Sequence, residues 1–113
     1  MRIWLDDERD PSDPFIQLEY RAEPDMVWVK SAEEAQQLIL QGVVTLVSFD
    51  NDLGFLRPEG YDLAKWIETQ ANCGTIPRLD WDIHTDKCVA RMNIFRAMKN
   101  ADKFWDERGV PCV

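Results

Sequence analysis

"VVTLVSFDNDLG", residues 43–54, is the stretch that says most about the fold class. Its first seven residues are apolar at nearly every position and lack the alternation of a strand that has one face in water. Strands covered on both faces have this pattern, and they occur mainly in parallel sheets flanked by helices. The apolar run then stops at two acids, Asp50 and Asp52, so charge is expected where this strand ends.

Strand and helix signals alternate along the rest of the chain. Further strands are predicted at residues 2–5, 26–29 and 79–83, and helices at residues 31–42, at about 61–71 and from about 89 onward. The connection between the first two strands is predicted to be mostly loop, with a short helix only in FIQLEY, residues 15–20. This order predicts an α/β fold, with an open, mainly parallel sheet of about four to five strands flanked by helices.

The composition predicts one folded, acidic domain spanning residues 1–113. Because 45% of the residues are hydrophobic, a net charge of −8 does not indicate disorder. That charge disfavours extended binding to nucleic acid, which depends on clustered cations. The sequence contains no apolar run of the about 20 residues that a membrane span needs. With three cysteines that lack metal-type spacing and no apolar leader, a cytoplasmic protein without membrane contact is predicted.

Ionisable or polar residues follow three of the predicted strands. In chain order they are Asp6, Asp7, Arg9, Asp50, Asp52, His84 and Thr85. Because ligands of open α/β sheets bind at the carboxyl ends of the strands, these side chains are expected to converge at one edge. The alternative for any single pair of acids is that it only caps a turn or the following helix.

The residue types at this edge suit phosphate chemistry. Clustered acids repel one another unless a cation offsets their charge, and carboxylates are ligands of hard ions such as Mg²⁺. His84, the only histidine, has an unperturbed pKa of about 6.5, which suits proton transfer or metal ligation, although a lone histidine at a strand end is more often structural. Arg9 could bind a phosphate through its planar fork or form an ion pair with Asp7 or Asp10. Asp6 and Asp52 could alternatively point into solvent.

Short motifs spread over almost the whole chain carry a resemblance to a known family. They are LDDERDP at 5–11, SAEEA at 31–35, SFDNDLG at 48–54, GYDLAKWI at 60–67, IHT at 83–85 and ARMNI at 90–94. Together they resemble the divergent receiver-like domains described as cyclic-phosphate processing. The resemblance implies a receiver-like (flavodoxin-like) three-layer architecture, similar to the receiver domains of bacterial two-component response regulators.

The parent receivers hold Mg²⁺ with an acidic pair after the first strand and an Asp after the third, which accepts a phosphoryl group. Asp6 and Asp7 match the pair, and Asp50 matches the acceptor. The parent pattern also includes a Lys after a fifth strand, and this chain ends in GVPCV without such a residue. The resemblance therefore does not imply a phosphorelay role.

The derived family replaces that Lys with other groups. It carries an extra acid, a His after the fourth strand and an Asn ahead of the last apolar run, which Asp52, His84 and Asn93 match. The resemblance implies action on cyclic phosphates, with either a small cyclic nucleotide or an RNA 2′,3′-cyclic phosphate end as substrate. A single RNA terminus needs few contacts, whereas extended nucleic-acid binding is not predicted.

The site residues are predicted to divide into three roles in hydrolysis of a cyclic phosphate ester. The predicted ligands of a divalent metal, Mg²⁺ or Mn²⁺, are Asp7, Asp50 and Asp52. The predicted substrate-binding residues are Arg9, Asp6, Thr85 and Asn93. The predicted catalytic residues are Asp50 and His84, which moves a proton.

Three alternatives stay open at the level of sequence. In a metal-free version of the hydrolysis, His84 is the base and a protonated acid donates the proton. In a second alternative, a receiver-like module binds a nucleotide or a protein partner without turnover. In a third, Asp50 is a true phosphoacceptor, which the missing Lys makes the weakest of the three.

Overall fold

A computed structural model describes residues 1–50, 59–85 and 88–109, without the side chain of Glu59. Within these residues, strands alternate with helices. The strands are β1 (Arg2–Leu5), β2 (Val27–Val29), β3 (Leu46–Phe49) and β4 (Asp80–Ile83). The helices are α1 (Pro14–Tyr20), α2 (Ala32–Leu40), α3 (Glu59–Cys73) and α4 (Cys88–Glu107).

The four strands form one open sheet in the order β2-β1-β3-β4, and every neighbouring pair is parallel. The predicted open, parallel α/β sheet is thus confirmed. Because the chain moves from β1 outward to β2 and then returns to β3, the strand order reverses between β1 and β3. In this type of sheet the crevice at such a reversal, beyond the carboxyl ends of the strands, is the usual place for a ligand.

Local signals account for where two of the helices begin. The hydroxyl of Ser31 accepts a hydrogen bond from the backbone N–H of Glu34 at 3.2 Å, as the capping pattern predicted for α2. The carboxylate of Asp13 caps α1 in the same way, and Pro14 occupies its first turn. The connection predicted to be mostly loop therefore contains a full helix of seven residues.

The two faces of the sheet are covered by different helices. Ile3 and Leu5 belong to the large apolar core that the sheet forms with α2, α3 and α4. Trp4, which lies between them in the chain, packs on the opposite face against Ile16 of α1 and Ala22. The period of two along each strand therefore divides its side chains between a large core and the smaller space under α1.

No helix in the described ranges is both long and apolar enough to cross a membrane. α4, the longest at 20 residues, carries charged residues along its length.

Candidate functional site

Asp6, Asp50 and His84 lie side by side, one position beyond the last paired residues of three adjacent strands. The register pairs Leu5 with Phe49 and Phe49 with Ile83, and the residue after each of these belongs to the group. Backbone hydrogen bonds continue the ladder by one step, from Asp50 N–H to the Leu5 carbonyl and from His84 N–H to the Phe49 carbonyl. We refer to Asp6, Asp50 and His84 as the polar row.

The polar row is enclosed in the protein. Asp6 is 0% exposed, His84 4% and Asp50 7%. Since Leu5 and Phe49 face the large core, the period of two directs the polar row toward the face covered by α1. Buried ionisable groups are costly unless they are paired, so their partners determine what the site can do.

Asp6 is held by four hydrogen-bond donors. Its Oδ1 accepts from the backbone N–H groups of Glu8 and Arg9, both at 2.9 Å. Its Oδ2 accepts from the Arg9 guanidinium at 3.2 Å and faces Nε2 of His84 at 3.0 Å. Burial raises the pKa of Asp6, but the bonds from His84 and the two backbone N–H groups outweigh it and bring the pKa below its usual value. Asp6 is therefore a carboxylate at neutral pH. Its side chain is buried and does not point into solvent, which was the alternative considered from the sequence.

His84 uses both of its ring nitrogens inside the protein. Nε2 donates to the ionised Asp6, which can only accept, and Nδ1 lies 2.8 Å from the hydroxyl of Ser48. Burial lowers the pKa of His84 although the Asp6 carboxylate opposes this shift. The imidazole is therefore neutral near pH 7, with the proton on Nε2 and with Nδ1 accepting from Ser48.

Trp4 and Ser48 hold the imidazole ring in place. The rings of Trp4 and His84 stack with centroids 3.6 Å apart and planes 8° from parallel. Trp4 of β1 is paired in register with Ser48 of β3, and the Ser48 hydroxyl contacts Nδ1 of His84, so the two rings meet next to Ser48. Neither contribution was predicted from the sequence, although Ser48 is a polar residue within an otherwise apolar strand, which is a readable signal.

Arg9 supplies the positive charge next to the carboxylates. Its Nη1 lies 3.2 Å from Asp6 Oδ2 and 3.8 Å from Asp50 Oδ2. The guanidinium also lies over the ring of Tyr20, 4.2 Å from its centroid. Burial lowers the pKa of Arg9, but the charge and hydrogen bond of Asp6 outweigh this effect and raise it. Of the two roles open to Arg9, an ion pair is observed; among the described residues it is formed with Asp6 and Asp50 rather than with Asp7 or Asp10.

The polar row could hold a metal ion. One ligand atom from each of its three residues can be chosen so that all lie within 4.8 Å of one another. Two carboxylates and an imidazole are donors that Mn²⁺ accepts, and the carboxylates alone suit Mg²⁺. Asp7 is half-buried and does not belong to this group of described residues.

The remaining predicted site residues lie in different places. Thr85 is buried directly after His84. Asn93 lies in α4 and lines a polar groove with Tyr61 and Lys65 of α3, among others. Asp52, a predicted metal ligand, lies outside the described residues.

Comparison with known proteins identifies the family. The family model described as "Cyclic-phosphate processing Receiver domain" matches residues 1–100. Searches of curated proteins and of solved structures gave no significant match. The match covers every described strand and the polar row, and it agrees with the four parallel strands of the open sheet. The chain therefore belongs to the family of cyclic-phosphate processing receiver domains.

Proposed function

We propose that this protein hydrolyses a cyclic phosphate ester at the carboxyl edge of the sheet. The observation that carries the proposal is the contact of one arginine with two buried carboxylates, Asp6 and Asp50, at the strand-order reversal. Such a concentration of ionisable groups is typical of sites that move protons and bind phosphate. Family membership supports the choice of a cyclic phosphate.

In the proposed reaction, the oxygen of a water molecule forms a bond to phosphorus and one ring P–O bond breaks. The water loses a proton to a base, and the protonated base then gives this proton to the freed ester oxygen, which becomes a hydroxyl group. Asp50, whose side chain is 9% exposed, is the proposed base. Arg9, 26% exposed, offers its planar fork to the phosphate oxygens.

His84 is proposed to act through Asp6. Its side chain is 0% exposed, and its Nε2–H donates to Asp6, so it orients this carboxylate and stabilises its charge. A divalent cation, Mg²⁺ or Mn²⁺, bound by Asp6 and Asp50 would supply Lewis-acid charge at the phosphate. Asp7 and Asp52 remain proposed additional ligands, and Thr85 and Asn93 remain proposed substrate contacts.

The proposed substrate is a small cyclic nucleotide or an RNA end with a 2′,3′-cyclic phosphate. Both present a single cyclic phosphate, which one arginine and one metal ion can bind. The net charge of −8 disfavours a longer nucleic-acid footprint.

The test is product analysis by liquid chromatography after incubation with a panel of cyclic nucleotides and cyclic-phosphate RNA ends. Each substrate is tested with Mg²⁺, with Mn²⁺ and with chelator. We expect Asp50→Asn to lower the rate by roughly 10²- to 10⁴-fold, the usual contribution of a general base. The matched control is Asp80→Asn, an exposed acid at the opposite end of β4.

A folded protein that turns over no member of the panel would contradict hydrolysis. The second candidate, a module that binds a nucleotide without turnover, is favoured by one observation, the complete enclosure of His84 between Asp6, Ser48 and Trp4. Calorimetric binding of a cyclic nucleotide that is recovered intact would support this module.

A further inference from the structure

Arg9 is in contact with the carboxylates that a metal ion would use. Its Nη1 donates to Asp6 Oδ2 at 3.2 Å and lies 3.8 Å from Asp50 Oδ2. These two side chains also belong to the group whose ligand atoms lie within 4.8 Å of one another. The guanidinium therefore occupies the position of a cation between two buried anions.

The charges of the site favour one cation at a time. Asp6 and Asp50 carry negative charge and share the Arg9 guanidinium as an ion-pair partner. A divalent ion added beside the guanidinium would place two cations against the same two carboxylates. The repulsion is strong because Asp6 and Asp50 are shielded from water.

Arg9 also has a contact outside the carboxylate pair. Its guanidinium lies over the ring of Tyr20, 4.2 Å from the centroid, and its side chain is 26% exposed. Tyr20 is the last residue of α1, on the same face as the polar row. An arginine on a tyrosine ring keeps a favourable contact when it leaves a carboxylate.

We propose that Arg9 is the resident cation of the polar row and that a divalent metal binds Asp6 and Asp50 by displacing it. The displaced guanidinium then becomes available to a phosphate oxygen. This last step rests on the proposed function, whereas the displacement does not. Metal and phosphate would thus bind cooperatively, because each weakens the hold of Arg9 on the carboxylates.

The test measures Mn²⁺ affinity without any substrate, by electron paramagnetic resonance of the free ion. We expect Arg9→Gln to tighten Mn²⁺ binding by about 5- to 150-fold, the usual range for coupling between two sites. Arg9→Lys keeps the charge and should stay close to the parent protein. An affinity that Arg9→Gln leaves unchanged or weakens, in a variant that is folded by circular dichroism, would overturn the proposal.

Arg2 provides the matched control. It forms ion pairs with Glu23 and Asp25 at the opposite end of β1, so Arg2→Gln removes the same charge from a similar pair of acids. Its position four residues before Asp6 corresponds to about 13 Å along a strand. Arg2→Gln should leave the Mn²⁺ affinity within about twofold of that of the parent protein. If both variants instead gained the same affinity, the effect of Arg9→Gln would be explained by the change in net charge alone, and displacement would be overturned.

A second measurement follows the guanidinium itself. The Nε–Hε resonance of Arg9, assigned by its loss in Arg9→Gln, should shift when Mg²⁺ saturates the protein, while that of Arg2 should not. A resonance that stays in place at saturation would overturn displacement. If the metal displaces the Arg9 guanidinium but the protein hydrolyses no cyclic phosphate, the proposed function would be refuted and this inference would still hold.

Discussion

The two faces of the sheet carry different kinds of side chain, although the same strands contribute to both. Toward α2, α3 and α4 the strands contribute buried apolar side chains, among them Ile3, Leu5, Val47, Phe49 and Ile83. Toward α1, or at the strand ends on that side, they are Trp4, Asp6, Ser48, Asp50 and His84. Stability and chemistry are thus separated by the alternation of side chains along three strands. Substitutions on the two faces should have distinguishable effects.

The largest expected effect is that of Asp6→Ala. It removes the acceptor of four hydrogen bonds, among them the buried ion pair with Arg9 and the bond from Nε2 of His84, which should lower the free energy of unfolding by about 3–5 kcal/mol. Leu63→Ala in the large core should cost about 2–5 kcal/mol. Urea unfolding measures both losses of stability. Titration with Mn²⁺ distinguishes the two variants, because only Asp6→Ala should abolish Mn²⁺ binding.

If Leu63→Ala weakened Mn²⁺ binding as much as Asp6→Ala while staying folded, the two faces would not be separable. The comparison between them would then fail.

A smaller effect is expected for Ser48→Ala. This change leaves Nδ1 of the buried His84 without its partner and should lower the free energy of unfolding by about 1–3 kcal/mol. Thr45→Val is the matched control, because it removes an exposed hydroxyl that donates to the Met1 carbonyl. The control should change the unfolding free energy by no more than about 0.5 kcal/mol. Equal losses in the two variants would argue that the Ser48–His84 bond adds little.

The smallest effect is a dependence of stability on pH. Because burial lowers the pKa of His84, the unfolded chain binds a proton at a higher pH than the folded protein does. Stability is therefore complete above about pH 6.5 and falls as the pH drops toward the folded pKa, by at most about 1.4 kcal/mol per pH unit. The lowered pKa of Asp6 acts only in more acidic solution, below about pH 4, where its contribution is lost.

Urea unfolding between pH 5 and 8, in the presence of chelator, measures this slope. Since His84 is the only histidine in the chain, His84→Gln should remove most of the dependence between about pH 5.5 and 6.5. A slope that persists unchanged in the variant would assign the titration to other groups.

The sequence was sufficient for the order of the four strands and of α2, α3 and α4, and for the acids and the histidine that follow three of the strands. The cap of α2 and the apolar run of β3 depend on neighbours in the chain, so short windows predicted them. α3 extends two residues beyond the prediction at each end, and α1 is more regular than predicted. Helix ends are influenced by packing, which short windows do not contain.

The choice between Asp6 and Asp7 could not be made from the sequence. Both acids follow β1, and either could have turned inward. The pleat directs Asp6 to the side of the sheet that α1 covers. There its carboxylate accepts hydrogen bonds from the backbone N–H groups of Glu8 and Arg9 in the following turn. The partners of Arg9 were equally undetermined, because its reach includes several acids that are close in sequence.

The sequence alone determined that acids and the single histidine stand at strand ends of an α/β sheet, because each strand and its end are local patterns. Only the tertiary structure placed His84 against Asp6, 78 positions away, and gave both of its ring nitrogens a hydrogen-bond partner inside the protein. Strand order and register decide which strand ends share a row, and they result from the packing of the whole core. For that reason the enclosure of His84 and the position of Arg9 between two carboxylates became visible only in the folded chain.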